Sequence, residues 1–409
     1  MPRPQIITGL DIGTSNIKVL VVERKGGDSD LEVIFQSQEP AFGVRKGIVM
    51  DVDKVARIVQ IVIERVKRET GHDINSVYAN ISGSHLFCAP SKGMVAVSRA
   101  DRKVSKEDVE RVLQAAQTLS LPSNKEILEV FPKKFIVDEE GGIKEKEVVG
   151  MQGGRLETEV LLLAGFSPYK NNLTQAILDA DLRVLDILPS PLASSSAVLS
   201  QRQKELGVAL LDIGAGTSEL AVFEEGDLIH LAIFPIGSAN ITNDIAIGLK
   251  TDIDMAEAIK INSGTCIFKG KDKKEKIETE EEPLVFSHKM LTRIIEARVS
   301  EIFNEVQKEL KKIQKQGLLP AGVVLTGGGA KLPQIVELAK KELKLPCRLS
   351  KPSVFPGLED NPTFATACGL VLRGIDMEGE NSWSGGVFTS FRRGTIINKL
   401  KKLFQIFIP

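Results

Sequence analysis

Two short stretches carry the residue types that handle phosphate: DIGTSNIK at 11–18 and DIGAGT at 212–217. In the first, Gly13 permits close backbone approach to a phosphate, and Thr14 and Ser15 add hydroxyl donors. Successive backbone N–H groups there can form an anion nest. Asp11 sits among Ile7, Leu10 and Ile12, so its carboxylate needs a partner, and a hydrated magnesium ion supplies one. Lys18 can neutralise a terminal phosphate. Asp212, Gly214, Gly216 and Thr217 repeat the pattern. A single copy is explained by a β-turn whose aspartate accepts backbone bonds. Two copies can grip phosphates from opposite sides, with Asp11 and Asp212 near one magnesium.

A third element is Gly327-Gly328-Gly329, which follows the strand-like GVVLT and precedes an amphipathic helical pattern. Bare backbone lets a purine or its sugar approach, and a helix N-terminus favours polar ligands. A plain strand–helix turn explains it too. Glu257 and Lys260, three apart in MAEAIK, share a helix face and could hold ribose hydroxyls beside adenine. An exposed helix ion pair is the ordinary alternative.

These segments need a scaffold that brings them together. Residues 8–23 (TGLDIGTSNIKVLVVE) and 209–224 (ALLDIGAGTSELAVFE) are each a strand, a polar turn and a second strand, half a chain apart. They predict two structurally related halves of an α/β fold. Helical spacing of Val55, Ile58, Val59, Val62, Ile63 and Val66 predicts a helix over 51–70, and SVYANISG predicts a strand. From Ser84 to about Gly165 the texture changes. Ser105 and Asp108 form a capping-box pattern, and strand-like runs follow at 126–137 and 156–164, which suggests an inserted α/β subdomain. A helix is expected from about Asp244, a solvated charged loop over 269–283, and a long helix bearing Leu291, Ile295, Val299, Ile302, Phe303 and Val306. The Gly/Ser-rich run at 376–393 reads as a linker.

Composition narrows the class. The chain has 409 residues, 42% hydrophobic and 26% charged, with net charge −1. That suits a multidomain globular protein and argues against a nucleic-acid binder, which would carry a basic excess. No apolar run reaches the ~20 residues that span a bilayer. The start, Met1-Pro-Arg-Pro-Gln, is not expected to be a signal peptide. Cys88, Cys266, Cys347 and Cys368 are scattered, as are the four histidines, which predicts free thiols in a reducing compartment and no His/Cys metal site.

The order DIGTSNIK, LLDIGAGTSELAVF, AEAIK, VVLTGGGAKLP resembles the two phosphate motifs and the adenosine motif of the actin-like ATPase superfamily. KGIVMDVD at 46–53, SVYANISGSH at 76–85, ILEVFPKKFIVDEEGGIK at 127–144 and PIGSANITNDIAIGL at 235–249 resemble FtsA, a bacterial cell-division family, more narrowly. The resemblance implies ATP and magnesium between two actin-like halves, with Gly237 in a supporting turn. It implies a first half at 1–83 that resumes at about 167–198 and 357–375. An inserted subdomain at 84–166 would offer a surface to downstream division proteins. The second half would run over 199–258 and 320–356, with an outer subdomain at 259–319. It further implies filament formation on the inner face of the cytoplasmic membrane at the division site. Docking of the C-terminal peptide of FtsZ would fall on 259–319, where Arg298 matches a family position. Ala215 and Glu219 stand where the family usually has Gly and Asp, and Ser238 where it has Gly. With no evident general base, nucleotide is expected to act as an assembly cofactor, with slow ATPase activity at most.

The last residues, GTIINKLKKLFQIFIP, predict an amphipathic helix over 394–409. At ~100° per residue, Ile396, Ile397, Leu400, Leu403, Phe404, Phe407 and Ile408 fall within roughly 140°. Lys401 and Lys402 lie opposite and Lys399 on the flank. Such a helix is too short to cross a bilayer and would lie in an anionic lipid surface. A type IV pilus assembly protein of the same fold should lack this tail. A sugar kinase would need a substrate-activating carboxylate, and a chaperone a further substrate-binding domain.

Overall fold

The computed structural model describes residues 5–25, 31–118, 121–277, 284–352, 354–355, 358 and 361–379. The chain enters as β1 (Gln5–Ile12), β2 (Asn16–Arg24) and β3 (Leu31–Pro40), followed by the small hairpin β4 (Val44–Arg45) and β5 (Ile48–Val49). Helix α1 (Val52–Thr70) and β6 (Ser76–Ile81) come next. Asp51 caps α1 by accepting from the Lys54 amide, and Gly71 ends it with φ 75°, its N–H donating to Lys67 O. Val55, Val59, Val62 and Val66 turn inward, one helical face as their spacing requires.

An independent unit follows: β7 (Phe87–Ala96), α2 (Lys106–Ala116), β8 (Lys125–Val137), β9 (Glu140–Ile143), the one-turn α3 (Glu145–Val148) and β10 (Arg155–Phe166). Its sheet runs β7-β10-β8-β9, all antiparallel, and α2 covers it over a core of its own that includes Val109, Val112, Phe135, Leu156 and Leu162. Ser105 opens α2 with a complete capping box to Asp108. The chain returns to the first half through α4 (Ser167–Leu178), β11 (Arg183–Pro189) and α5 (Ser190–Val198).

The second half begins with α6 (Gln201–Leu206), then β12 (Val208–Ile213), β13 (Ser218–Glu224) and β14 (Asp227–Phe234). Helices α7 (Ser238–Leu249) and α8 (Ile253–Ser263), the ribbon β15 (Lys274–Ile277) and β16 (Leu284–Ser287), and α9 (His288–Lys312) form its outer part. It closes with β17 (Val323–Thr326), α10 (Ile335–Leu343) and β18 (Cys347–Leu349). Helix α11 (Ala365–Gly379) then packs back on α5 and β1.

The two large sheets have one plan. The first is ordered β11-β6-β1-β2-β3 and the second β18-β17-β12-β13-β14. Each is an antiparallel meander of three strands extended by two parallel strands. The internal repeat is therefore a repeat of whole half-molecules. The edge strand β3 alternates in exposure, whereas β1, β2, β12 and β13 are buried along most of their length.

Four boundaries depart from the sequence reading, one being the expected loop at 269–283, in which Lys274–Ile277 forms a strand paired with Leu284–Ser287. Helix α7 starts at Ser238, six residues before Asp244, because Gly237 serves as its N-cap and Asn240 Oδ1 accepts the Gly237 N–H at 3.0 Å. Residues 376–379 continue α11 and do not belong to the linker. Gly329 does not open an α-helix: a 3-10 turn spans Gly329–Lys331, and α10 waits until Ile335, after Pro333 and a left-handed Gln334. The amphipathic segment 394–409 lies outside the described residues, and no helix among those described is long and apolar enough to cross a membrane.

Candidate functional site: a two-hairpin cleft

The β1–β2 and β12–β13 turns face each other across a cleft of about 570 Å³, open mouth included. Each turn is closed by the same bond, Gly13 N–H to Asn16 O (3.1 Å) and Gly214 N–H to Thr217 O (2.9 Å). Their tips touch. A Cβ placed on Gly216 would sit 2.6 Å from Thr14 Oγ1 and 2.9 Å from Thr14 Cβ, so only glycine fits there. Thr14 Oγ1 also accepts the Gly47 N–H at 2.9 Å, which brings the β4–β5 hairpin onto the first turn.

The cleft is lined by Asp11, Gly13, Thr14, Ser15 and Lys18 from one half and by Asp212, Gly214, Thr217, Gly327 and Gly328 from the other. Gly327 is held at φ 86°, and a Cβ there would meet Asp212 Oδ1 at 2.2 Å, so the glycine run lets backbone pass against the aspartate. Gly237 and Gly329 stand behind this surface rather than in it. The Gly237–Ser238 turn supports the second hairpin, with Ser238 N–H donating to Gly214 O (2.8 Å) and Ala239 N–H to Ala215 O (2.9 Å). Ala215 does not adopt a positive φ, so its methyl group is accommodated without backbone strain. Ser238 contributes through its backbone, its N–H donating to Gly214 O and its carbonyl accepting from Thr242 and Lys260.

The electrostatics of the two sides differ. Asp11 is buried and already has a protein partner, Lys18 Nζ at 2.8 Å, where the sequence reading assigned it magnesium and left Lys18 for a phosphate. Asp212 has no such cation among the described residues. Burial, with Asp11 nearby, pushes its carboxyl up to about 6, against the opposing pull of Lys18 and the Ser194 hydroxyl. Glu219 is pushed to about 8 by burial and by Asp212. Among the described residues, three acids thus converge on one cleft with a single lysine. No tight group of metal-ligating side chains exists among the described residues. A cation that keeps most of its own water, as magnesium does, fits this donor set. Asp11 and Asp212 would hold it through water.

Sequence similarity to known proteins covers nearly the whole chain. A family profile described as "Cell division protein FtsA" matches residues 209–369, and one described as "SHS2 domain inserted in FTSA" matches 83–164. The chain is 35% identical over 412 residues to the cell division protein FtsA of Pseudomonas aeruginosa, covering 98% of both. It is 36% identical to that of Bacillus subtilis, covering 91% of this chain and 84% of the relative. This chain belongs to the FtsA family. It is a cell-division protein with an actin-like fold. Solved structures agree on the fold. A PilM–PilN type IV pilus biogenesis complex aligns at TM-score 0.65 and 20% identity, covering 90% of this chain and 98% of that one. MreB5 of Spiroplasma citri bound to ADP aligns at TM-score 0.57 and 13% identity, covering 93% and 99%.

One expected contact of this FtsA-family protein falls elsewhere. Glu257 and Lys260 do not line the cleft: Lys260 is buried, and its Nζ donates to Glu257 Oε2 (2.6 Å), Thr242 Oγ1 (2.8 Å) and Ser238 O (3.3 Å). The pair ties α8 to the start of α7, with Lys260 buried and the Glu257 side chain about half exposed. Arg298 is no freely exposed arginine. It makes two bonds to Asp244 (2.6 and 2.9 Å) and a third to Glu301, fastening α9 to α7.

Several cleft residues escaped the sequence reading. Asn80 Oδ1 accepts the Ile12 N–H (2.7 Å) while its amide donates to Ser190 Oγ (2.9 Å), which locks β1 to β6 below the first turn. Ser82, Ser190, Thr363 and Thr366 also line the cleft. Asn80, Ser82 and Ser190 lie at or just beyond the carboxyl ends of the parallel strands β6 and β11, where ligands of open α/β sheets gather. That position was the available signal, and only strand order reveals it.

Proposed function

We propose that the cleft binds ATP with magnesium and that bound nucleotide supports assembly of the chain into filaments on the inner face of the cytoplasmic membrane at the division site. Residues 259–319 take the C-terminal peptide of FtsZ on this reading, with Arg298 contributing through the α7–α9 face. Residues 84–166 offer a surface to further division proteins. Residues 394–409 lie in the lipid surface, with Ile396, Ile397, Leu400, Leu403, Phe404 and Phe407 buried and Lys399, Lys401 and Lys402 toward anionic headgroups.

The observation that carries the nucleotide reading is the contact between Thr14 and Gly216. Two glycine turns of opposite halves meet tip to tip above buried carboxyls, an arrangement for a polyanion and its cation and a costly one otherwise. The solved relative from Spiroplasma citri carries ADP, which supports the choice of an adenine nucleotide. Each basic tail residue contributes about 1 kcal/mol at an anionic surface. One copy then binds reversibly, and a filament of many tails binds firmly through avidity.

The test is co-pelleting of the full chain with anionic vesicles and an FtsZ C-terminal peptide, with and without ATP and magnesium. ATP-enhanced pelleting that brings down the peptide and is lost on truncation after Glu380 is the expected result. Equal pelleting of the truncated chain overturns the tail assignment. Vesicle binding without the peptide leaves a filament with some other client.

A further inference from the structure

Helix α11 runs from the cleft to the inserted unit. Near its start Thr366 lines the cleft, with Thr363 in the turn before it. Seven residues on, two turns and about 10 Å along the same helical face, Arg373 is buried. Its Nε donates to Asp186 Oδ2 of β11 at 2.9 Å, and the carboxyls of Glu129 on β8 and of Asp376 lie around it. Glu129 stands opposite Leu163 in the β8–β10 register, on the face where Phe131, Leu161 and Leu163 join the core of the first half. A carboxyl on such an apolar face is costly without a polar partner, and Arg373 is the cation beside it. The helix itself is seated without slack. A Cβ on Gly9 of β1 would meet Ala367 O at 2.6 Å, and one on Gly369 would meet Ala193 O of α5 at 1.8 Å. Close packing of that kind makes α11, α5 and β1 one body, and β1 leads into the first phosphate hairpin. The inserted unit joins that body through two short crossings, between Ile81 and Phe87 and between Phe166 and Ser167, about which it can tilt.

We propose that α11 couples the inserted unit to the cleft, with Arg373 as the positioning residue that takes up the contact from Glu129. This rests on the nucleotide reading and goes beyond it by naming how that site is regulated. A protein that seats on the inserted unit and tilts it outward withdraws Glu129 from Arg373. The α11 body then loses a support, Thr366 and the end of β1 shift with it, and nucleotide is held less tightly. Linkage requires the reverse as well: nucleotide bound against Thr366 and the hairpins steadies α11, and through Arg373 it steadies the strand that carries Glu129. Asp186 stays with Arg373 in either position, so the tilt leaves no buried cation without a counter-charge.

The test is amide hydrogen exchange of the full chain with and without ATP and magnesium. In the wild-type chain, nucleotide is expected to slow exchange at least threefold both in the hairpin 11–18 and in residues 125–131 around Glu129. In Glu129→Leu, which leaves the Arg373–Asp186 pair intact, slowing in the hairpin remains and that of 125–131 falls to near one. The same variant should bind ATP at least threefold more weakly by isothermal titration. Circular dichroism melting checks folding, and Arg373→Met combined with Asp186→Asn, which removes both charges together, stands in if Glu129→Leu does not fold. A purely structural contact would lower the melting temperature and leave the response of 125–131 to nucleotide unchanged, which overturns the proposal. So does wild-type chain that binds ATP, slows in the hairpin and shows no change at 125–131. Wild-type chain that binds no ATP removes the nucleotide reading itself, and this coupling with it.

Discussion

Asp212 and Glu219 face one another across the antiparallel strands β12 and β13, in the place where the first half of the molecule sets Asp11 opposite Lys18. The backbone is the same and the charge is reversed. Lysine gives Asp11 an ion pair at 2.8 Å. Burial lifts both carboxyls of the second half, Asp212 to about 6 with Asp11 adding to it and Glu219 to about 8 with Asp212 adding to it. The duplicated fold therefore has one side neutralised by an ion pair and one whose two buried carboxyls are held above their usual range.

The contact between Gly216 and Thr14 is expected to control nucleotide affinity more than folding. Gly216→Ala places a methyl group within 2.6–2.9 Å of the Thr14 side chain and forces the tips apart. Affinity for ATP should fall at least tenfold, about 1.4 kcal/mol. Thr14→Gly in the same chain removes the obstruction and should recover part of the loss. Isothermal titration of the two variants decides this, and an additive double mutant counts against it.

Glu129 on β8 of the inserted unit lies near Arg373 of α11, whose Nε bonds to Asp186 at 2.9 Å. Burial pushes the Glu129 carboxyl up to about 8, opposed by Arg373 and reinforced by Asp186. The folded chain thus keeps a proton that the unfolded chain releases near pH 4.3, so this group's contribution to stability falls as pH rises from there through about 8. Glu129→Gln should flatten that part of the curve. Melting temperatures of both chains between pH 5 and 8 test it, and parallel curves would reject the assignment.

Asp108 is fully buried at the start of α2, where it accepts from Ser98, Ser105 and Arg111. Burial pushes its carboxyl up, but the Ser105 amide, the Arg111 guanidinium and the two hydroxyls outweigh that and hold it well below the usual range. Its contribution is present at neutral pH and lost as pH falls below about 4. Asp108→Ala should cost about 2–3 kcal/mol, since it removes a cap and strands several donors. Hydrogen exchange should show the loss first in α2 and β7, and uniform exchange across the chain would contradict it.

The Arg298–Asp244 clamp predicts that charge reversal at Arg298 disturbs the α7–α9 packing as well as any peptide contact. Arg298→Ala should cost about 1–2 kcal/mol for a bidentate, partly buried pair. Arg298→Asp combined with Asp244→Arg should restore most of the stability. If the swapped chain is stable yet still fails to bind the FtsZ peptide, the arginine itself is part of the docking surface. If the swap recovers binding, its role is to hold α7 against α9.

The phosphate hairpins, the doubling of the half-molecule, the α1 face and the Ser105 capping box were legible along the chain. Each is a local pattern: Asp-x-Gly turns between apolar strands, valines three and four apart, a serine three residues before an acid. Lys18 meets Asp11 across a single hairpin, but where Lys260 and Arg298 point and which groups complete the cleft depended on residues far apart in sequence. Ser82 and Glu219 are 137 positions apart, and Asn80 and Ser190 are 110 apart. A spacing rule reads neighbours on one helix or strand, whereas these pairs meet only because the order of the sheets brings strand ends from different parts of the chain to one cleft. Local patterning named the hairpins, and tertiary structure decided which side chains meet across the cleft.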